Sequence, residues 1–207
     1  MAKTESFDRF YREYENWFER NRDIYEAELE LIRSLLPQGK GIEIGVGTGR
    51  FAAPLGIKIG IEPSDAMAEV ARQRGIDVLK GVAESLPVPN ESYDFVLMVT
   101  TVCFVDDVLK SFKEAFRILK KGGVFIVGFV DKNSPLGKRY QEKKDKSRFY
   151  KEATFYSTEE IVDFLKKAGF SEISVKQTLI EKDGKMLPVI KDGSGEGGFV
   201  AVRAVKC

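Results

Sequence analysis

Gly41-Ile42-Glu43-Ile44-Gly45-Val46-Gly47-Thr48-Gly49-Arg50 sets three glycines at alternate positions behind a short apolar run that carries one acidic residue. Glycine gives up more conformational freedom on folding than any other residue. Three within five positions therefore mark a chain that turns sharply or lets a ligand lie against bare backbone. The run 42–44 reads as a strand that empties into this loop.

Downstream, strand and helix patterns alternate. Residues 50–55 have room only for a brief helix, because Pro54 and Gly56 interrupt it. Residues 58–61 form a second strand ending at Glu62-Pro63-Ser64. Ser64 or Asp65 can cap a helix over 66–74, which Gly75 closes. A third strand covers 77–79, and Gly81-Val82-Ala83-Glu84-Ser85-Leu86-Pro87 is a loop. The apolar run 95–99 has the length and character of a central strand covered on both faces. Asp106 or Asp107 caps a helix through 119, and Lys120-Lys121-Gly122-Gly123 turns into a strand over 124–130. A helix over 158–168, with Glu159 or Glu160 near the capping-box position, and strands over 173–180 and 198–205 complete seven strands. The expected fold is α/β: a doubly wound, mostly parallel seven-stranded sheet. Ligands on such sheets bind at the carboxyl ends of the strands, near the point where strand order reverses. That rule gathers Gly45 to Gly49, Glu62, Ala83-Glu84 and Val99 to Thr101 on one edge.

Upstream, Phe7, Phe10, Tyr11, Tyr14, Trp17 and Phe18 recur at helical spacing, and Tyr25, Leu29, Ile32, Leu35 and Leu36 mark a second apolar stripe. Residues 1–38 are read as a helical cap over a main domain of 39–207. The aromatic stripe suits packing onto that domain, and Tyr11, Tyr14 or Trp17 could also wall a ligand pocket. Residues 131–156 read as an irregular, basic connector near the substrate side. Residues 192–198 are rich in glycine but lack the Gly-Lys-Ser/Thr ending of a phosphate loop, so they read as an inter-strand loop.

Composition narrows the chemistry. The 207 residues contain no histidine, so neither a His general base nor a His-ligated metal can exist here. Lys and Arg number 33 and Asp and Glu 32, a net charge of +1 that offers no electrostatic case for nucleic acid or an anionic membrane surface. Two cysteines, Cys103 and Cys207, suggest neither a disulfide framework nor a metal site. No apolar run approaches the ~20 residues needed to span a bilayer, and a cytoplasmic location is expected.

Two ligand classes suit a glycine-rich loop after a first strand. A dinucleotide fingerprint needs a third glycine where Arg50 stands, and the helix behind it is too brief to hold a pyrophosphate well. Glu43-x-Gly45-x-Gly47-x-Gly49 instead resembles the first motif of the class I S-adenosylmethionine-dependent methyltransferases. Glu62 stands where that family's acidic residue binds both ribose hydroxyls, and a carboxylate has acceptors for both. Residues 81–87 resemble the adenine loop, Tyr93-Asp94-Phe95-Val96 the start of the fourth strand, and Leu119-Lys120-Lys121-Gly122-Gly123 the approach to the fifth. Lys167-Ala168-Gly169-Phe170 resembles the approach to the sixth, so the resemblance covers residues 40–175 in order. The general likeness is to the ubiquinone/menaquinone-biosynthesis-like, small-molecule branch, in which an N-terminal helical segment covers the site.

The resemblance implies that Gly45, Val46, Gly47 and Gly49 carry the aminoacyl and ribose parts of S-adenosylmethionine, with S-adenosylhomocysteine as product. It implies that Glu43 orients the loop and helps hold the α-ammonium, and that Pro63 and Met67 pack near the adenine. Ala83 offers its backbone N–H to the ring, Glu84 accepts from the exocyclic amine, and Val99, Thr100 and Thr101 lie below the methionyl arm. The sequence departs from the family where Val82 replaces a frequent acidic residue and where the first helix is short. Methyl transfer of this kind needs no metal. It depends on positioning and on desolvation of the nucleophile. Tyr14, Glu28 and Asp131 are the candidate general bases. The expected acceptor is a small molecule. A methyltransferase acting on RNA or protein, or a non-catalytic cofactor-binding protein, are the alternatives.

Overall fold

The computed structural model describes residues 4–207, so the first three residues of the expected cap lie outside the described residues. Two helices come first, α1 (Glu5–Arg20), kinked at Phe10, and α2 (Arg22–Arg33). The alternating part follows as β1 (Gly41–Ile44), β2 (Ile59–Ile61), α3 (Asp65–Gln73), β3 (Asp77–Leu79), β4 (Tyr93–Val99), α4 (Val108–Ile118) and β5 (Leu119–Val130). Then come α5 (Pro135–Glu142), α6 (Thr158–Ala168), β6 (Ser171–Lys182), β7 (Lys185–Leu187), β8 (Lys191–Asp192) and β9 (Gly197–Val205).

The strands form one sheet in the order β3-β2-β1-β4-β5-β9-β6-β7, with β8 against β6. Strands β1 to β5 pair in parallel, whereas β9 runs antiparallel to both β5 and β6. This is the expected doubly wound α/β sheet. Strand order reverses between β1 and β4, which opens a crevice at their carboxyl ends.

The central strands bury both faces. On β4, Val96 and Met98 join one apolar layer with Phe112 of α4 and Ile161 and Leu165 of α6. Their neighbours Phe95, Leu97 and Val99 join the other layer, with Leu31 and Ile32 of α2 and Ala68 and Ala71 of α3. Period-two side chains feeding two helical layers explain why this strand reads as a continuous apolar run. Helix α2 comes unusually close to the sheet. A Cβ on Gly128 of β5 would lie 3.0 Å from Ile32 Cδ1 and 2.8 Å from Phe199 Cζ, so only a glycine leaves room for this seat.

Caps follow the sequence. Ser64, Asp107 and Ser157 each accept a backbone N–H at the start of a helix, and Ser157 and Glu160 complete a capping box. Three expectations need correction. Residues 50–55 form turns and no helix: Ala53 N–H reaches Gly49 O at 3.0 Å, but Pro54 has no N–H to extend the ladder and Gly56 turns away at φ +76°. The connector 131–156 is not wholly irregular. Ser134 caps α5 by accepting the Gly137 N–H at 2.9 Å, and Pro135 occupies the first turn, where its missing N–H costs nothing. Finally, β7 and β8 are added to the seven expected strands. Asp183 and Gly184, at φ +50° and +74°, make the tight turn that folds β7 back on β6. The glycine-rich segment does lie between strands, pinned where Gln177 Oε1 accepts the N–H groups of Glu196 and Gly197. Among the described residues, no helix is long and apolar enough to cross a membrane.

Candidate functional site

A cavity of about 650 Å³ lies where the carboxyl ends of β1, β2 and β4 meet the underside of α1 and α2. At its β1 end the wall is backbone. The Gly45 N–H donates to Ile61 O at 2.8 Å, and Gly45 adopts φ +68°. A Cβ there would lie 2.3 Å from Thr101 Cγ2, and the Thr101 hydroxyl donates to Gly45 O at 3.2 Å. The loop is thus closed onto the end of β4. Gly47, at φ +55°, faces the cavity. A Cβ on it would first meet Met67 Cε at 3.5 Å and Tyr14 Oη at 3.7 Å, across open space.

The Glu62 carboxylate is buried and accepts the N–H groups of Gly47 and Ser64, both at 2.9 Å. Burial pushes its pKa up to about 7, against the pull of those two N–H groups and with the help of Asp8. A carboxylate offers about four acceptor sites, so two remain for hydroxyl donors. Glu43 sits behind the loop, 2 % exposed, with Oε2 making no hydrogen bond among the described residues. Burial raises its pKa well above the usual carboxylate range, partly offset by the Ala52 N–H and reinforced by Glu62. Bare glycine backbone, a wall of Pro63 and Met67, and two buried carboxyls short of donors fit a ligand with vicinal hydroxyls and a cationic amino group. S-adenosylmethionine carries both.

Charged clasps hold α1 over this end. Glu15 bonds Arg50 at 2.7 Å and Arg74 at 2.5 Å, and Arg74 also donates to Thr48 O at 2.6 Å in the glycine loop. Burial alone would raise the Glu15 pKa, but the two guanidinium groups override it and pull it down to about 2. Asp8 accepts the Ser64 hydroxyl at 2.6 Å, and Arg148 pairs with Glu13 at 2.5 Å.

The α2 end is built from side chains. Glu28 is 5 % exposed and lines the cavity, and burial pushes its pKa up to about 8. Tyr14, Trp17, Phe104, Tyr140, Phe149 and Tyr150 share that wall. Tyr140 and Tyr150 lie 5.2 Å apart between ring centroids, and Phe104 stacks on Tyr150 at 6.1 Å.

Among the sequence-derived candidates, Tyr14, Glu28, Gly45, Gly47, Glu62, Pro63, Met67, Ala83, Glu84, Val99, Thr100 and Thr101 all line this cavity. Thr100 does so in a left-handed conformation, φ +49°, that a β-branched residue seldom adopts. Four candidates lie off the wall. Glu43 stands behind the loop. The Val46 side chain packs against Gly60 inside the core, and Gly49, at φ +81°, rests on Ala71 and Ile76. Asp131 is 2 % exposed, and its carboxylate takes the N–H groups of Asn133 and Thr158 and the Thr158 hydroxyl. It anchors the start of α6 and is not placed to act as a base. Glu84 reaches the cavity, but its carboxylate accepts the N–H groups of Asp106 at 2.7 Å and Asp107 at 3.2 Å. Its role is thus bound up with the entry to α4. Of the three lid aromatics, Tyr14 and Trp17 line the cavity and Tyr11 does not. Phe104, Tyr140, Phe149 and Tyr150 escaped the sequence reading. The signals for the last three were an aromatic cluster within a charged connector and, for Tyr140, the helix start at Ser134 and Pro135.

A family model described as a methyltransferase domain matches residues 42–127. The chain is 56% identical to a Thermotoga maritima S-adenosylmethionine-dependent methyltransferase, described as a possible histamine N-methyltransferase. That crystal structure superposes with a TM-score of 0.95 over 99% of this chain and 100% of the other. An uncharacterised protein of Methanocaldococcus jannaschii is 47% identical over 97% of this chain and 98% of its own length. A chloroplastic 2-methyl-6-phytyl-1,4-hydroquinone methyltransferase of Oryza sativa subsp. japonica is 29% identical over 78% of this chain and 49% of its own length. With the glycine loop, the buried Glu62 and this likeness along the whole chain, the protein belongs to the class I S-adenosylmethionine-dependent methyltransferases.

Proposed function

We propose that this methyltransferase acts on a small-molecule acceptor held at the aromatic end of the cavity, beneath α1 and α2. The observation that carries this reading is the continuity of one cavity from the glycine loop and Glu62 to Glu28 and the tyrosines of the far wall. The bound S-adenosylmethionine supplies a methyl group already activated by its sulfonium, so the chain's own task is to bind, align and exclude water. Glu62 takes the ribose hydroxyls, the backbone of Gly45 and Gly47 lets the aminoacyl arm lie close, and Glu43 receives the α-ammonium through an intervening water. Val99, Thr100 and Thr101 floor the passage between the two ends. The acceptors named for the two relatives, histamine and a hydroquinone, are both ring compounds, and an aromatic wall suits that class. The near-neutral charge offers no electrostatic case for RNA as the acceptor. We place the chain in the small-molecule branch of the family on the same grounds.

Thermal unfolding with S-adenosylhomocysteine, S-adenosylmethionine or NAD tests the cofactor half of this reading. Binding-linked stabilisation is expected from the two sulfur compounds and not from NAD. Glu62→Ala should weaken S-adenosylhomocysteine binding by about 1–3 kcal/mol, the worth of one or two charge-assisted hydrogen bonds. Unchanged affinity would remove Glu62 from the ribose site.

A further inference from the structure

Glu28 is a carboxyl group that the fold neither needs nor satisfies. It lies on α2 at 5 % exposure, and among the described residues no donor bonds to it and no cation pairs with it, so burial alone shifts its pKa. The carboxylates nearby are used differently. Glu62 holds two backbone N–H groups, Glu84 holds two more, and Glu13 and Glu15 are paired with arginines. Glu28 faces the open space that Tyr140 and Tyr150 also line. An unpartnered carboxylate at such depth is costly, because it has left water and gained nothing in exchange. Kept in that state, it is suited to a partner that arrives with the guest.

The rest of the wall says what that partner is. Aromatic faces attract cations through their negative ring quadrupoles, and they bind ammonium groups more strongly when water is excluded. Phe104, Tyr140, Phe149 and Tyr150 bring such faces around the same space. The cavity lining carries the carboxyl groups of Glu13, Glu28, Glu62, Glu84 and Asp106 against one cationic side chain, Arg20, among the described residues. An anionic acceptor would meet this excess of carboxyl groups, and an acceptor without charge would leave the cation-binding ring faces unused.

Resting on the cofactor reading above, we propose that the acceptor is a small protonated amine, held by Glu28 within this aromatic wall and methylated on nitrogen. Burial pushes Glu28 up to about 8 in the empty cavity, an arriving ammonium group favours its ionised form, and that carboxylate, more basic than an exposed one, can then take the ammonium proton. The amine passes one proton to the Glu28 carboxylate and uses the freed lone pair to form the nitrogen–methyl bond. The carbon–sulfur bond breaks as it forms, and sulfur keeps that electron pair. The products are S-adenosylhomocysteine and the N-methylammonium, and Glu28 later returns its proton to solvent.

Titration calorimetry on the wild type and Glu28→Gln tests this in two stages. S-adenosylhomocysteine is titrated first. Then 2-phenylethylamine, benzylamine and tryptamine, each beside the alcohol that replaces its amino group, are titrated into the complex. At least one amine is expected to bind the wild type at least tenfold tighter than its alcohol, and Glu28→Gln should abolish that preference while S-adenosylhomocysteine affinity changes less than twofold. A panel in which no amine outbinds its alcohol overturns the proposal, and so does a preference that survives in Glu28→Gln. Failure of the wild type to bind S-adenosylhomocysteine is a different result, and it defeats the cofactor reading itself.

Discussion

At the β1 end of the cavity the wall is main chain, fixed by the turn Gly45-Val46-Gly47 and by one carboxylate, Glu62, already tied to two N–H groups. At the α2 end the wall is side chains from α1, α2, α5 and the segment after it, and its one buried carboxylate, Glu28, is tied to nothing among the described residues. The first end is built for a ligand that never changes, because backbone geometry tolerates little variation. The second is built of exchangeable parts, and acceptor choice can shift there without disturbing the fold.

If that contrast is right, Gly45→Ala should do the most damage. A methyl group would be forced into Thr101 at a left-handed backbone position, a cost of about 2–5 kcal/mol from strain and overlap together. Denaturant unfolding would show the loss, and a near-normal midpoint would mean that the loop yields easily.

Glu28→Gln should move stability the other way. A carboxyl whose folded pKa is raised to about 8 binds more protons folded than unfolded, so the wild type loses stability as pH climbs from the ordinary carboxylate value of 4.5 towards about 8. Melting temperatures compared between the variant and the wild type should diverge across that window in favour of the variant, by a few kcal/mol at its alkaline end. Parallel curves would show that Glu28 gives up its proton alike in the folded and unfolded chain, so that burial does not raise its pKa.

The smallest of the three effects belongs to the clasp between the two ends. Glu15 has its pKa pulled down to about 2, so its stabilisation is complete above about 4.5 and lost as pH falls through about 2. Glu15→Gln should cost about 0.5–1 kcal/mol at neutral pH and flatten the acid limb of the stability profile. An unaltered acid limb would show that Arg50 and Arg74 find other partners.

The same contrast explains what could be read from the chain and what could not. The β1 end follows from local order. Glycine spacing, a strand before it and an acidic residue after the next strand all lie within residues 43–62, so pattern sufficed for Gly45, Gly47 and Glu62. Pattern could not separate Gly47, which faces the cavity, from Gly49, which rests on α3, because only tertiary packing distinguishes them. Asp131 looked like a base because it ends a strand on the right edge, yet Thr158 claims its carboxylate from across a gap in sequence. Tyr140 reaches the wall from α5, which Ser134 and Pro135 start inside a charged stretch. That start signal was present in the sequence and was outweighed by the surrounding lysines.

The seat of α2 at Gly128 carries one more consequence. Ile32, which touches that glycine position, lies one helical turn after Glu28, so both project from the same side of α2. The carboxyl group therefore owes its position to a close-packed helix and not to bonds of its own. A guest that meets it finds every lone pair unspent and a scaffold already immobilised, so little ordering entropy remains to be lost on capture.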